Sequence, residues 1–157
     1  MTISESHNIK GKLTILKMDS SDRVVEEVRA TNDITLLGRK LVAQLFANNQ
    51  SIKPVDSILI GTGTKDFDPK DNTLAQPIDD FSITLEDSET QINEGKESYE
   101  LTLVGTLNAR EAKVDGKAIT EACLYSNDSK VMYNRVTFAP ITKRENFKLK
   151  MIWQIIF

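Results

Sequence analysis

The last eleven residues, 147–157, constrain the fold of this chain more than any other stretch. Apolar residues occupy every second position, which is typical of a β-strand with one buried face. These residues are Phe147, Leu149, Met151, Trp153, Ile155 and Phe157. The second face begins with two lysines and ends with Ile152 and Ile156. Because a strand that is apolar on both faces must be covered on both, we expect a helix, a second sheet or another chain over Ile152 and Ile156.

Composition limits the classes of protein to which the chain can belong. Its 157 residues, of which 39% are hydrophobic and 27% charged, predict one soluble domain with a real core. A net charge of -3, spread evenly, argues against a nucleic-acid partner. No apolar run approaches the roughly 20 residues that span a bilayer, so membrane insertion is not expected. Residues 1–8 lack the apolar segment of a signal peptide and are predicted as a flexible tail before a single domain, residues 9–157.

Period-two patterns predict about eight strands. They are placed at residues 9–17, 23–30, 55–60, 81–85, 99–107, 119–125, 131–138 and 147–157. The turn residues 19–22 and 127–129 join the flanking strands as hairpins. The polar stretch 87–96 is predicted as a mobile loop.

Residues 34–48 are predicted as the helix of the chain. Leu37, Leu41 and Leu45 follow one another at i, i+4 spacing and form an apolar row, with Asn32 or Asp33 as the expected N-cap. Gly38 lies inside the helix, where glycine costs about 1 kcal/mol relative to alanine, and is therefore expected to permit close contact with a strand. We therefore predict a mainly β (α+β) fold, an antiparallel β-sandwich of about eight strands with one packed helix. Gly38, Leu41 and Leu45 are expected at the helix–sheet contact, and the helix is a candidate cover for the second face of the C-terminal strand.

The Gly-Thr-Gly-Thr sequence at residues 61–64 is the motif that most resembles a ligand-binding loop. Two glycines at this spacing allow backbone geometry that a side chain would block. A phosphate-binding loop would also need a following Gly-Lys-Thr/Ser and a helix, and both are missing. Gly61 and Gly63 are therefore predicted to form a structural corner at the end of a strand.

Residues suited to metal binding or catalysis are few. Asp66, Asp68 and Asp71 could supply oxygen ligands to calcium, but their spacing lacks the glycine and the distal glutamate of an EF-hand loop, which favours a solvated acidic loop. The single histidine, His7, lies in the predicted tail and outside any expected pocket, which argues against a nucleophilic triad or a histidine-based metal site. The single cysteine, Cys123, excludes a multi-thiolate metal site. Cys123 lies in an apolar strand pattern and is predicted to be a buried, inert thiol.

Paired carboxylates are the remaining acid–base candidates, for example Glu111 and Glu121. Their spacing favours no particular pair for catalysis. We therefore predict no enzymatic activity, no catalytic residues and no cofactor.

Three stretches taken together resemble a known family. Residues 34–43 (ITLLGRKLVA) precede the strand and corner at 55–64 and the Asn-Thr-Leu at 72–74; the sequences ITEACLY at 119–125 and NRVTFAPI at 134–141 follow. In this order they resemble bacteriophage tail-fibre and tail-collar domains, as in phage tails and phage-derived contractile injection particles such as tailocins. The resemblance covers roughly residues 32–157. It departs at Cys123, where the family usually has glycine, and in the N-terminal hairpin.

The resemblance implies a structural protein of a phage tail or contractile particle. Such a protein would be an adaptor that attaches or organises fibre, collar or baseplate parts. It would be made in a bacterial cytoplasm and located, when mature, in the virion or an extracellular tail-like particle. Copies of itself and other tail proteins are the expected partners, with Ile152 and Ile156 as the candidate interface.

Two other functions remain open at this stage. A receptor- or carbohydrate-binding β-sandwich module is the alternative, although aromatic residues, on which sugars stack, make up only 6% of the chain. A metal-dependent enzyme is the third.

Overall fold

Antiparallel strands and one α-helix make up the computed structural model of this chain, which describes residues 9–157. The strands are β1 (Lys10–Met18), β2 (Val24–Ile34), β3 (Ser57–Gly61), β4 (Ile83–Thr84), β5 (Gln91–Glu94), β6 (Tyr99–Leu107), β7 (Ala118–Ser126), β8 (Val131–Met132), β9 (Asn134–Thr142) and β10 (Lys148–Ile156). The helix α1 spans Leu36–Phe46, and a short 3-10 turn spans Asp87–Glu89. The prediction of a mainly β fold with one helix is confirmed for the described residues. The predicted flexible tail, residues 1–8, lies outside them.

All ten strands belong to one curled sheet. Their order is β4-β3-β7-β9-β2-β1-β10-β6-β5, with β8 paired to β7. β2 joins the two halves, because it pairs with β1 along most of its length and with β9 only at Asp33 and Ile34. The sheet returns toward itself where Leu85 bridges to Gly105 of β6. This continuous pairing confirms the antiparallel architecture but does not divide the strands into the two separate sheets of the predicted sandwich.

β10 lies between β1 and β6 and carries much of the core. The register places Trp153 between Leu13 and Leu103. The fully buried Trp153 ring donates a hydrogen bond from Nε1 to Asn32 Oδ1 at 2.7 Å. The alternating residues from Leu149 to Ile155 are buried as predicted, whereas Phe157 at the strand end is 55% exposed.

The helix starts later than predicted and packs elsewhere. Its N-cap is Thr35, whose Oγ1 accepts from the Gly38 N–H at 2.9 Å and donates to the Met132 carbonyl at 2.7 Å. Asn32 and Asp33 cannot cap it because they lie in β2. Since these bonds tie the helix start to β8, α1 packs there, and the prediction that it covers the second face of β10 is wrong.

Two further predictions need correction. The polar stretch 87–96 is not an unstructured loop, because β5 forms within it and pairs with β6. The strand predicted over 81–85 shrinks to Ile83–Thr84. No helix among residues 9–157 is long and apolar enough to cross a membrane.

Candidate functional site

The most unusual chemical feature of the described residues is a buried ion pair between neighbouring strands. Glu121 of β7 and Arg135 of β9 are 0% and 1% exposed. Burying a charge is costly unless the charge is paired and its hydrogen-bonding capacity is filled. The surroundings of this pair therefore show whether it is a reactive group or a structural one.

The Glu121 carboxylate is fully occupied by donors. Its Oε1 accepts from the backbone N–H groups of Gly63 at 3.0 Å and Gln76 at 2.7 Å. Its Oε2 accepts from the Ala75 N–H at 3.0 Å and from Arg135 Nε at 2.9 Å. Because all these donors belong to the protein, the carboxylate holds the chain segments around it together and is not presented to a substrate.

Arg135 extends the network into the polar loop that follows β3. Its Nη2 donates to the Lys65 carbonyl at 2.7 Å, and its Nη1 lies 3.3 Å from both the Asp66 carbonyl and Asp71 Oδ2. A planar guanidinium suits this arrangement, since it presents several donors in fixed directions. The loop between β3 and β4 is thereby fastened to the sheet.

Asp71 closes the network on the solvent side. It accepts from Lys65 Nζ and from the Asp68 N–H, each at 2.9 Å. Partial burial would raise the pKa of Asp71, but the hydrogen bonds from Asp68 and Lys65 and the charge of Arg135 outweigh it and hold this pKa below its ordinary value. Asp71 is therefore an ionised partner in a salt-bridge network.

The two glycines of the Gly-Thr-Gly-Thr motif make room for this carboxylate. A Cβ atom at either Gly61 or Gly63 would stand 2.5 Å from Glu121 Oε1. At Gly61 it would also stand 2.5 Å from the Gln76 carbonyl oxygen. The structure places both residues at a corner where the backbone closes around Glu121, and this contact requires glycine.

The three aspartates considered as metal ligands do not gather around one point. Asp71 faces Lys65 and Arg135, and Asp68 Oδ1 instead accepts from the Lys70 N–H at 2.8 Å. Asp66 contributes its backbone carbonyl to Arg135. Within residues 9–157, no group of three or more His, Cys, Asp or Glu side chains is placed to hold a metal ion. The open cleft beside them, of about 440 Å³, is lined by the ion-paired Lys65, Asp71 and Arg135 and by loop residues 68, 70 and 72–75.

Other buried titratable groups also serve the fold. Cys123 is fully buried, and burial raises the pKa of its thiol far above the ordinary value, in agreement with the predicted inert thiol. Lys143 is buried with its Nζ donating to the Arg144 carbonyl at 2.9 Å. Burial lowers the pKa of Lys143, against the opposing charges of Asp115 and Glu111. Glu111 is half-buried and does not share the Glu121 network.

The predicted helix–sheet contact holds at two of its three residues. Leu41 is 1% exposed, and a Cβ at Gly38 would lie 2.0 Å from the Tyr133 carbonyl oxygen. Leu45, near the helix end, is instead 36% exposed. The helix therefore contacts the sheet through fewer residues than its apolar row predicts.

The two isoleucines of the candidate interface lie on the outer face of β10. Ile152 is half-buried between Thr14 of β1 and Val104 of β6, whereas Ile156 is 41% exposed. Only Ile156 is therefore open to a partner to a substantial degree.

The sequence pattern indicated Glu121 as a candidate carboxylate but did not identify Arg135 as its partner. The available signal was a single charged residue inside each of two otherwise uncharged strands, Glu121 in ITEACLY and Arg135 in NRVTF. In strands that pair with each other, such residues are expected to meet. Comparisons of this chain with protein-family models, curated proteins and solved structures gave no match.

Proposed function

We propose that this chain is a structural subunit of a phage tail or phage-tail-like contractile particle, where it acts as an adaptor for fibre, collar or baseplate parts. The observation that carries the proposal is an unusual set of exposed aromatic side chains. Phe46, Tyr99 and Phe157 are 94%, 54% and 55% exposed. Exposed apolar surface of this kind is typical of sites where another protein docks.

The use of charge within the fold agrees with a structural role. The buried carboxylate and guanidinium of Glu121 and Arg135 are filled by protein donors and acceptors. Such a network rigidifies a fold and prepares no group for reaction with a substrate. The resemblance of residues 34–43, 55–64, 119–125 and 134–141 to tail-fibre and tail-collar domains supplies the specific class of assembly.

Particle composition tests this proposal. Tail-like particles from cells that encode the chain are purified by density gradient and analysed by mass spectrometry, beside particles from a deletion strain. We expect the chain to co-sediment with complete particles, and particles from the deletion strain to lack an attached component. Complete, active particles that never contain the chain would refute the proposal.

A receptor- or carbohydrate-binding module is the second candidate, and one observation favours it. Tyr99 and Phe157 lie side by side on adjacent strands, joined by backbone hydrogen bonds in both directions at 3.2 and 2.9 Å. Neighbouring exposed rings can stack against sugar rings. Glycan-array binding that Tyr99→Ala abolishes and Val25→Ala preserves would favour this function over the adaptor role.

A further inference from the structure

At one end of the sheet, residues on the core-facing side are exposed to solvent. Tyr99 of β6 lies opposite Phe157, and Ile92 of β5 lies opposite Leu101. By the period of two, these residues share a face with the buried Trp153 and Leu103. Tyr99, Phe157 and Ile92 are nevertheless 54%, 55% and 72% exposed. We call these three residues the aromatic patch.

Acidic residues border the aromatic patch. Glu94 lies directly opposite Tyr99 in the β5–β6 ladder. Glu97 lies in the adjacent turn, which is closed by the Gly95 N–H donating to the Ser98 carbonyl at 2.8 Å. Both carboxylates are exposed. A partner for this surface is therefore expected to combine apolar side chains with positive charge.

The solvent side of α1 has this complementary composition. Leu36 and Phe46 are 52% and 94% exposed, and Arg39 and Lys40 are exposed beside them. Residues 36 and 40 share one side of the helix, and residues 39 and 46 share the neighbouring side. The helix sequence LLGRKLVAQLF contains no acidic residue. We call these four residues the helix face.

Both surfaces lie toward the same end of the sheet. Asn32, near the end of β2, pairs with Gly11 at the start of β1. Lys10 pairs with Ile156 at the end of β10, which in turn lies opposite Glu100 at the start of β6. Since α1 starts two residues after β2 ends, the start of the helix, with Leu36, Arg39 and Lys40, and the aromatic patch are both near this end. When one end of a subunit carries two complementary surfaces, a two-fold axis can place each surface against its complement on the second copy.

We propose that two copies of this chain form a symmetric dimer in which the helix face of each copy contacts the aromatic patch of the other. The inference rests on the proposed role as a subunit and specifies how two copies of this chain contact each other in the assembly. A second copy is favoured over an unrelated partner because one chain carries both the acidic, aromatic surface and the basic, apolar surface that fits it. Aromatic side chains and arginine are also the residues that contribute most to protein interfaces.

Sedimentation velocity over a concentration series, with the mass checked by light scattering, tests the dimer. We expect wild-type protein to dimerise, and Phe157→Asp and Phe46→Asp each to weaken the dimer at least about tenfold. Val25→Asp is the matched control, because Val25 is 53% exposed on β2 and belongs to neither surface. Far-UV circular dichroism verifies that each variant is folded. Equal weakening by Val25→Asp would overturn the proposal.

Charge reversal tests which surfaces meet. The variant Arg39→Glu/Lys40→Glu and the variant Glu94→Lys/Glu97→Lys should each weaken the dimer, and an equimolar mixture of the two variants should restore association. A mixture that stays as weak as its components would overturn the pairing of helix face and patch.

Other occupants of the patch give different results. A wild type that stays monomeric over the whole concentration series would overturn the dimer, and destabilisation of that monomer by Phe157→Asp would show that Phe157 serves the packing of its own chain. A monomer that is found in purified particles would also overturn the dimer and leave the adaptor function intact. A dimer with the expected variant effects that is absent from particles would support the inference and refute the adaptor function.

Discussion

At the level of single residues, the environment of Glu121 explains how a charge can lie at the centre of this fold. Three backbone N–H groups and one guanidinium surround the carboxylate. Two of those backbone groups, at residues 75 and 76, belong to the second half of the long polar loop between β3 and β4. Glu121 thus holds in place a loop that has little regular structure of its own.

Removing the carboxylate should destabilise the protein strongly. We expect Glu121→Ala to lower the free energy of unfolding by about 3–5 kcal/mol, because Arg135 would remain buried without its counter-ion. Urea denaturation followed by Trp153 fluorescence measures this change. Glu27→Ala, which removes an exposed carboxylate on β2, should change stability by less than about 0.5 kcal/mol. Similar small effects from both variants would contradict a structural role for Glu121.

The Asp71 carboxylate should make stability depend on pH in the acidic range. Its folded pKa lies below the ordinary value of 3.8, so ionised Asp71 stabilises the fold above that pH. This stabilisation is lost as the pH falls from about 3.8 through the lower folded pKa. We expect Asp71→Asn to be less stable than wild type at pH 6 and to lose less stability on acidification to pH 2.5.

Urea denaturation at several pH values between 6 and 2.5 measures this difference. Asp128→Asn, which removes an exposed carboxylate from the turn after β7, serves as the control and should follow the wild-type curve. An Asp71→Asn curve parallel to the wild-type curve over the whole range would contradict the assignment.

At the level of elements, the position of α1 depends on close contact with one carbonyl group. The Tyr133 carbonyl accepts from the Thr35 N–H at 3.1 Å and lies directly above Gly38. The helix therefore begins and packs at the same point of the sheet. Glycine is required there by the space available.

Gly38→Ala should destabilise the protein although alanine is the better helix former. Helix propensity alone favours alanine by about 1 kcal/mol. The new Cβ would stand 2.0 Å from the Tyr133 oxygen, and such overpacking costs about 1–3 kcal/mol. We expect a lower thermal midpoint by calorimetry.

The exposed position Ala43 provides the comparison for this substitution. Ala43→Gly should cost about 1 kcal/mol through propensity alone. Both exchanges should therefore be destabilising, although they run in opposite directions. A Gly38→Ala protein as stable as wild type would show that the contact with Tyr133 can relax.

Most elements could be predicted because their side chains alternate strictly. The hairpin of β1 and β2, the strand β6 and the core face of β10 follow from that period. β5 could not be predicted in this way, since Gln91–Glu94 is mostly polar and becomes a strand only through its pairing with β6. The apolar row of the helix predicted that Leu37, Leu41 and Leu45 would be buried together, but the helix lies over a short strand and leaves Leu37 and Leu45 exposed by 39% and 36%.

The site was predictable only in part. The glycine corner was visible in the sequence, because two closely spaced glycines after a strand indicate restricted space. The identity of the group that fills this space, Glu121, depends on contacts between residues 58 positions apart. The exposure of Tyr99 and Phe157 depends likewise on which part of the sheet is covered, and residue periodicity carries no information on that.

At the level of the whole molecule, β10 connects parts of the chain that are far apart in sequence. It hydrogen-bonds to β1 on one side and to β6 on the other. Without β10, these strands would have no common neighbour, and the core residues Leu13 and Leu103, which flank Trp153, would be exposed. β10 is therefore expected to be essential for the whole fold.

Deletion of residues 148–157 should abolish cooperative unfolding. We expect the truncated chain to lack a thermal transition by circular dichroism and to bind the dye ANS, as a loosely packed state does. Deletion of Phe157 alone removes a residue that is 55% exposed and should preserve the transition. A cooperative transition in the longer deletion would show that the remaining strands form an independent core.

The pairing of β1 with β10 also has a kinetic consequence. Gly11 pairs with Asn32 within the β1–β2 hairpin, where the two residues are close in sequence. On its other side it pairs with Ile155, which lies near the opposite end of the sequence. Contacts between such distant residues form slowly, on a timescale of roughly milliseconds to seconds for β-rich folds. Until they form, one edge of β1 has unpaired backbone groups next to the apolar side chains of Leu13 and Ile15. During that interval, the same edge is open to a strand from another nascent chain, so refolding of this protein competes with intermolecular pairing.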